Sequence, residues 1–528
     1  MKKRLLALSV ASALTMGAAH AFEVAENGIG MYNLLPYYSA QAGNATLIQV
    51  TNTDKLNGKA VKVRFRGAEW SDDVLDFTLF LSPGDVWTGG VSANGLLASL
   101  FTVDKSCTLP ADVNRDFVTS RLDASDSAAA GTREGYFEII TMADIPYETT
   151  VVDGRVEFAP ASEQTDLANA IKHVNGEPVC NGEVFSGATN VLNNLQPDHP
   201  WEDVNPEQGM TPPTGTLMAY EIVINVPTSK AFAAEAVALN PQGDPFFATN
   251  KIFFRQSNQV IPASGEWTAD RIFFPVGCAD PANPSETVGV DAADCGTGLT
   301  MFQFDMPDLT TPINLGTYAN AFLQRDAVTA ALARADATIE YVTDDAILAT
   351  TDIVFNQPTR RFYYVYDDGC SGDVEPGACS YDINGVDVDI EGYGVYASLN
   401  GENNLIAVDA PDFWDREEDN FSDPSDIVIS PTPPIEIQPF NLKGEVAVVS
   451  INNGAVPTGS LNASLSASDY TSPLEGPDGW VQMSTTGQDG PLPVIGFTAI
   501  KLFNGAVGAA GTNYGFTLPL RTPEVVSP

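Results

Sequence analysis

Thr46-Leu47-Ile48-Gln49-Val50, a polar turn over 52–58, then Ala60-Val61-Lys62-Val63-Arg64-Phe65-Arg66: the reading of this stretch decides the fold class. In its second half apolar residues alternate with charged ones. Val61, Val63 and Phe65 fall on one side of an extended chain and Lys62, Arg64 and Arg66 on the other, which is the period of two that a strand imposes. Two such runs flanking a Gly-containing turn predict a β-hairpin. A more apolar run, Val74 to Leu81, follows and is closed by Ser82-Pro83-Gly84-Asp85; the next strand opens at Val86-Trp87-Thr88. Four short strands joined by turns predict a β-sandwich.

The same pattern recurs along the chain. Strands are expected at 135–140, at 216–226 (stopped by Pro227), at 271–274, 337–342 and 361–365, and at 444–450, 479–483 and 495–500. Helical spacing is confined to 162–174, with Leu167, Ala170, Ile171 and Val174, and to 317–336, with Phe322, Val328, Leu332 and Ala335. The expectation is a mainly β protein of two or three β-sandwich-like domains with a few connecting helices. Linker composition at 194–215 and 409–434 sets soft boundaries near 205 and 430. They separate an N-terminal sandwich (22–205), a middle β-rich domain with the helix near 317–336 (206–430), and a C-terminal β region (431–528) able to complete an earlier sheet.

Residues 1–21 read as a signal peptide: Met1-Lys2-Lys3-Arg4, an apolar stretch over 5–17, then Ala19-His20-Ala21 as a cleavage site. No later apolar run is long enough for a membrane helix. The chain carries 26 Lys and Arg against 68 Asp and Glu, a net charge of −42. Only 18% of residues are charged, so the imbalance is a shortage of cations more than an excess of acids. It argues against nucleic acid, whose phosphates need Lys and Arg, and against anionic lipid. With 44% hydrophobic residues the chain can bury real cores.

Six cysteines, Cys107, Cys180, Cys278, Cys295, Cys370 and Cys379, in an exported chain point to disulfides. Fifteen connectivities are open. Short loop closure favours Cys278–Cys295 and Cys370–Cys379, which leaves Cys107 with Cys180. A zinc site wants close Cys/His pairs, and outside the signal peptide only His173 and His199 occur.

Catalytic templates are missing: no Gly-x-Ser-x-Gly elbow, Walker loop, His-Glu-x-x-His or dinucleotide fingerprint. The expectation is a protein that is not an enzyme. Calcium is the ligand the acids suggest, since it takes several carboxylate and carbonyl oxygens. Asp112-Val113-Asn114-Arg115-Asp116 opens like an EF-hand loop, but Phe117 stands where Gly is needed. A run of acids at 382–391 reads equally as the wet face of a strand. The densest cluster is 409–426, and Asp412, Asp415, Glu417, Glu418 and Asp419 are its candidate Ca²⁺ ligands. Of the tryptophans, Trp87 and Trp480 sit in strand patterns and are expected in the core. Trp201 and Trp414 sit in polar loops, as exposed ligand contacts would.

The run Asn33-Leu34-Leu35-Pro36-Tyr37-Tyr38 resembles a group of exported, mostly uncharacterised bacterial cell-surface proteins of surface-layer-like type. So do Val63-Arg64-Phe65-Arg66, Leu81-Ser82-Pro83-Gly84-Asp85, Gly135-Tyr136-Phe137-Glu138, Thr350-Thr351-Asp352-Ile353-Val354, Leu492-Pro493-Val494-Ile495-Gly496-Phe497 and Asn513-Tyr514-Gly515. Asn356 departs from the pattern, which has an aromatic before Pro358. The resemblance implies a cell-surface role and no catalytic residues. The expected function is therefore an exported surface structural protein. It would self-associate, or bind other envelope components, through acidic β modules bridged by cations. The alternatives are an adhesin or carbohydrate binder and, third, a secreted glycosidase.

Overall fold

The computed structural model describes residues 22–180 with few breaks, 209–241, 321–360, most of 441–521 and short segments between them. The chain is mainly β, in packed antiparallel sheets with three short helices, as sandwich-like domains require. A seven-stranded sheet runs in the order Phe22–Val24, Val237–Pro241, Tyr32–Ser39, Glu134–Pro146, Asn57–Gly67, Asp73–Leu81, Thr108–Leu109. A six-stranded sheet faces it, in the order Lys230–Glu235, Leu217–Asn225, Asn44–Asn52, Val86–Asn94, Leu97–Phe101, Arg115–Asp116. Val61, Val63, Phe65, Phe77, Leu79, Phe137 and Ile139 of the first pack on Ile48, Val50, Trp87 and Val91 of the second.

The expected hairpin between 46–50 and 60–66 is not formed. Asn44–Asn52 lies in the six-stranded sheet, between Leu217–Asn225 and Val86–Asn94, and Asn57–Gly67 lies in the seven-stranded one. The turn between them carries the chain across the sandwich. Asp54 makes the bend: Oδ1 accepts from the backbone N–H of Leu56 (2.8 Å) and Asn57 (3.0 Å), an Asx turn. The Asn52 side chain donates to the carbonyls of Asn57 and Ser82, locking the crossing. Burial explains the separation. Asn44–Asn52 is wet on one face, whereas Asn57–Gly67 is covered on both.

Lys62, Arg64 and Arg66 do alternate against the apolar residues, but the side they share is not solvent; all three are buried. Each meets a carboxylate from a flanking strand. Lys62 Nζ lies 2.6 Å from Asp76, Arg64 Nε 3.2 Å from Asp73 and Arg66 Nε 3.4 Å from Glu138. Three residues earlier, on the other side of the same strand, Lys59 lies 2.6 Å from Asp144 and 3.3 Å from Asp54. A buried charge is tolerable only when paired and hydrogen-bonded, so this ladder fixes the register of three strands.

A second sandwich follows. A five-stranded sheet runs Ala467–Thr471, Val446–Asn452, Thr350–Asn356, Ile495–Asn504, Thr512–Pro519, and a four-stranded sheet runs Asp336–Val342, Asp478–Ser484, Asp412–Asp415, Asn420–Phe421. Ile353, Phe355, Val449 and Ile451 pack on Ile339, Tyr341, Phe413 and Val481 between them. The opposite face of the five-stranded sheet, with Val354, Val448, Phe497 and Ala499, packs on Tyr37, Tyr136, Val223 and Phe232 of the first sandwich. The sheets run across the positions near 205 and 430: strands at 217–241 complete both N-terminal sheets, and Thr350–Asn356 pairs with Val446–Asn452 and Ile495–Asn504.

The helix expected at 162–174 is a single 3-10 turn, Ala161–Glu163, and the helix Asp166–Ile171, capped by Thr165 accepting from Ala168 N–H. The one expected at 317–336 spans Ala321–Leu332 and stops where the chain turns into strand pairing at Ala333–Arg334. Both helices pack on the seven-stranded sheet through Leu167, Ile171, Val328 and Leu332. Cys107 and Cys180 form a disulfide, Cα–Cα 5.4 Å, that ties the segment after the first helix to the edge of that sheet. The pairings weighed for Cys278, Cys295, Cys370 and Cys379, the strands at 271–274 and 361–365, and the signal peptide lie outside the described residues.

Polar contacts cross the seam between the two sandwiches beside its apolar cluster. Tyr136 Oη donates to Glu445 (3.0 Å), the Asn44 amide to the Leu461 carbonyl (2.6 Å), and Lys230 Nζ to the Ser460 carbonyl (2.8 Å). Asn356, where the resemblance expects an aromatic, donates instead to the Pro36 carbonyl at 3.2 Å. Asp352 accepts from Ser450 Oγ (2.8 Å) and Leu461 N–H (2.7 Å), and burial raises its pKa. Burial, with Lys501 nearby, brings the Lys230 ammonium down to about 8.

Glu221 is fully buried at this seam. One carboxyl oxygen accepts from Tyr37 N–H at 3.2 Å, the other meets no donor among the described residues, and burial holds its pKa well above the ordinary carboxylate range. In the unfolded chain Glu221 ionises at its ordinary value. Between that pH and the raised folded value the unfolded state binds fewer protons, so stability falls as pH rises, by about 1.4 kcal/mol for each pKa unit of the shift. Glu221→Gln removes the ionisation and keeps the shape. It is expected to raise the urea midpoint at pH 8 and leave it nearly unchanged at pH 4. Equal midpoints for the two proteins at pH 8 would contradict this.

Candidate functional site

The outer face of the four-stranded sheet is where the sequence candidates and the exposed aromatics meet. The register places Trp414 opposite Trp480, and Trp480 opposite Glu340 on the next strand. The neighbouring row is Asp412, Gln482, Thr338. Period-two alternation sends Phe413, Val481 and Ile339 inward to the core and leaves Trp414, Trp480, Asp412, Gln482 and Glu340 outside.

Trp414 and Trp480 are half-buried and stack on each other, ring centroids 3.9 Å apart and planes within 6°. Beneath them Phe413 packs between Tyr341 (5.7 Å, edge-on) and Tyr470 (5.4 Å, parallel). Gly479, one residue from Trp480, is required: a Cβ there would come within 2.1 Å of the Trp414 carbonyl oxygen. The indole pair therefore stands on a fixed base. Around it the rim is acceptor-rich. Burial pushes the Asp412 pKa up, Glu340 is exposed, and Arg416 lies 3.8 Å from Asp478 in an exposed pair that contributes little.

Such a surface can stack an apolar ring face against indole and accept hydrogen bonds at its rim. Of the expected Ca²⁺ ligands only Asp412 and Asp415 fall among the described residues. Asp412 and Asp415 sit three apart on one regular strand, so they leave it on opposite faces. Glu417, Glu418 and Asp419 lie outside the described residues. Among the described residues no group of three or more His, Cys, Asp or Glu could hold a metal ion.

The other sequence candidates separate clearly. Trp87 is buried in the first sandwich, as expected, and packs 5.8 Å from Phe77. Trp480, expected in the core, is on the outer face, and Trp414 is on a strand and not in a loop. For Trp201 only the backbone, in the strand Trp201–Asp203, is described. The segment that opens like an EF-hand is a strand edge. Arg115–Asp116 pairs with Ser99 and Leu100, Val113 and Phe117 point into the core, and Asp116 accepts from Asn94 at 2.8 Å. His173 Nδ1 lies 3.5 Å from Asp85 at the surface.

Sequence reasoning missed one exposed feature, the hairpin Thr149–Val152 and Arg155–Phe158. Its signal was present: Asp153-Gly154 is the dipeptide most suited to a two-residue hairpin turn.

Among the described residues no helix is long and apolar enough to cross a membrane. The stacked indoles predict an exciton couplet in the far-ultraviolet circular dichroism. Trp414→Ala should abolish it and cost about 2 kcal/mol of stability, less than the loss of a fully buried Trp. A couplet that survives the substitution would contradict the stack. Comparisons with protein-family models, with curated proteins and with solved structures find no match to this chain.

Proposed function

We propose that this chain is an exported, non-enzymatic structural protein of a cell surface. One observation carries the reading: the groups most able to do chemistry are used to hold sheets together. Lys230, Asp352 and Glu221 have the perturbed pKa values that active sites need, yet each is bonded to a backbone group: Lys230 to the Ser460 carbonyl across the seam, Asp352 to Leu461 N–H within the second sandwich, and Glu221 to Tyr37 N–H between the two sheets of the first. The result is a rigid, layered block. Its strongly acidic exterior gathers counter-ions, and divalent cations between neighbouring copies or envelope components are the expected bridge, with 409–426 as the densest acidic segment.

A second reading, a carbohydrate contact, rests on the Trp414–Trp480 ridge and its acceptor rim. A neutral polyhydroxylated ring offers an apolar face to the indoles and hydroxyl donors to Asp412, Gln482 and Glu340.

Fractionation of cells with and without a chelator tests the first reading. The protein is expected in the surface fraction and released by the chelator; recovery in the cytoplasm would overturn it. For the second, titration with neutral oligosaccharides is expected to change tryptophan fluorescence in the native chain and not in Trp414→Ala. An unresponsive native chain would remove that reading and leave the first intact.

A further inference from the structure

Among the described residues the hairpin Thr149–Val152 and Arg155–Phe158 forms a two-stranded sheet with no third strand, and all eight of its residues are exposed. Val151 is 73% exposed and Val156 60%. A two-stranded ribbon standing alone in water is marginal, so its persistence needs a cause at its base and a use at its tip.

The base is clamped. The Gln164 side chain accepts from Glu148 N–H (2.8 Å) and donates to the carbonyls of Glu148 (2.8 Å) and Ala159 (3.1 Å). The Phe158 ring sits 5.3 Å from that of Tyr147, with Lys172 Nζ 5.5 Å from its centre. Tyr147 in turn donates to the Ala168 carbonyl of the helix Asp166–Ile171 (2.7 Å), and the Cys107–Cys180 disulfide pins the segment beyond that helix. At the tip Asp153 and Gly154 have φ of 51° and 77°, as a type I′ turn requires. The arm is thus held in one conformation up to its end.

Arg155–Phe158 is one edge of the ribbon. It has no Pro, no Lys and no bulge; its guards are its shortness and the charges of Arg155 and Glu157, which are of opposite sign and so oppose most partners but not its own copy. Alternation puts Val156 and Phe158, with Val151 across the hairpin, on one apolar face, and Arg155 and Glu157 on the other. The strand is also complementary to itself. Laid antiparallel against its own copy with Val156 opposite Val156, it sets Arg155 opposite Glu157 on both sides of the axis. Opposite charges in directly facing positions favour that register, and like charges there would forbid it. On a molecule of net charge −42 this is a place where two copies can meet without facing acid against acid.

We infer that Arg155–Phe158 pairs with the same strand of a second copy, joining two arms into one four-stranded sheet about a two-fold axis at Val156. The contact is isologous and closes as a dimer. It is short, so the dimer is weak and concentration-dependent. The pairing is a property of the chain in solution and stands apart from the surface role proposed above.

Sedimentation equilibrium on the full chain tests it. The native protein is expected to shift from monomer to dimer with concentration. Val156→Asp, which sets two carboxylates across the axis, and Arg155→Glu, which sets acid against acid, are each expected to give monomer at every concentration. Arg155→Glu combined with Glu157→Arg restores the complementarity and is expected to restore the dimer. All three alter exposed side chains, so circular dichroism should match that of the native chain. A native chain that stays monomeric up to its solubility limit would overturn the pairing. A dimer indifferent to Val156→Asp would do so too, as would failure of the double exchange to rescue.

Discussion

The cations on Asn57–Gly67 are the constraint on which the rest of the molecule depends. Lys59, Lys62, Arg64 and Arg66 lie on one strand, and their carboxylates come from Glu134–Pro146 on one side and Asp73–Leu81, with Asp54, on the other. A slip of one residue would set Val61, Val63 and Phe65 against carboxylates and strand the three positive charges of Lys62, Arg64 and Arg66 in the apolar half of the sandwich. The pairing therefore specifies a single register for the central strands. The turn at Asp54, the crossing to Asn44–Asn52 and the position of the facing sheet all follow from that register.

The same cations reach toward the second sandwich. Arg66 meets Glu138, Glu138 accepts from Thr310 N–H, and Tyr136 beside them donates to Glu445. The interior polar groups thus form a sequence of contacts from the first sheet to the seam. Seven of the 26 Lys and Arg, namely Lys59, Lys62, Arg64, Arg66, Lys230, Arg360 and Lys501, are buried. Seven carboxylates, those of Asp73, Glu134, Glu138, Asp144, Glu221, Asp352 and Glu445, are buried with them, so among the described residues the interior is balanced in charge and the net acidity is left to the exterior.

The period-two pattern identified ten of the described strands, since alternation is a local property that tertiary packing does not erase, but it missed Tyr32–Ser39 and Thr350–Asn356, which are buried on both faces. It could not tell which sheet a strand joins. Thr46 to Val50 and Ala60 to Arg66 look like hairpin partners in sequence, and only the two-sided burial of the second separates them. Nor could the pattern tell a wet polar face from a buried one; alternation puts Lys62 and Arg64 on one side of the strand, but their partners Asp76 and Asp73 are a strand away. The indole pair was hidden for a related reason. Trp414 sits in an acidic stretch with linker composition, and Trp480 comes 66 positions later. The hairpin at Asp153-Gly154 was missed although its local chemistry carries the signal.

The interleaving of the layers has a kinetic meaning. Phe22–Val24 waits for Val237–Pro241, and Asn44 waits for Leu461. No sheet of either sandwich is built from neighbouring strands alone, and contacts this distant in sequence make folding slow. If the chain is threaded through a membrane from its N-terminus, the first sandwich cannot finish until residue 241 has emerged, and the seam until 461. Its unpaired strands are exposed for all of that interval. The abundant carboxylates then serve a purpose that the finished structure conceals: mutual repulsion keeps the incomplete sheets of different molecules apart until their own later strands arrive.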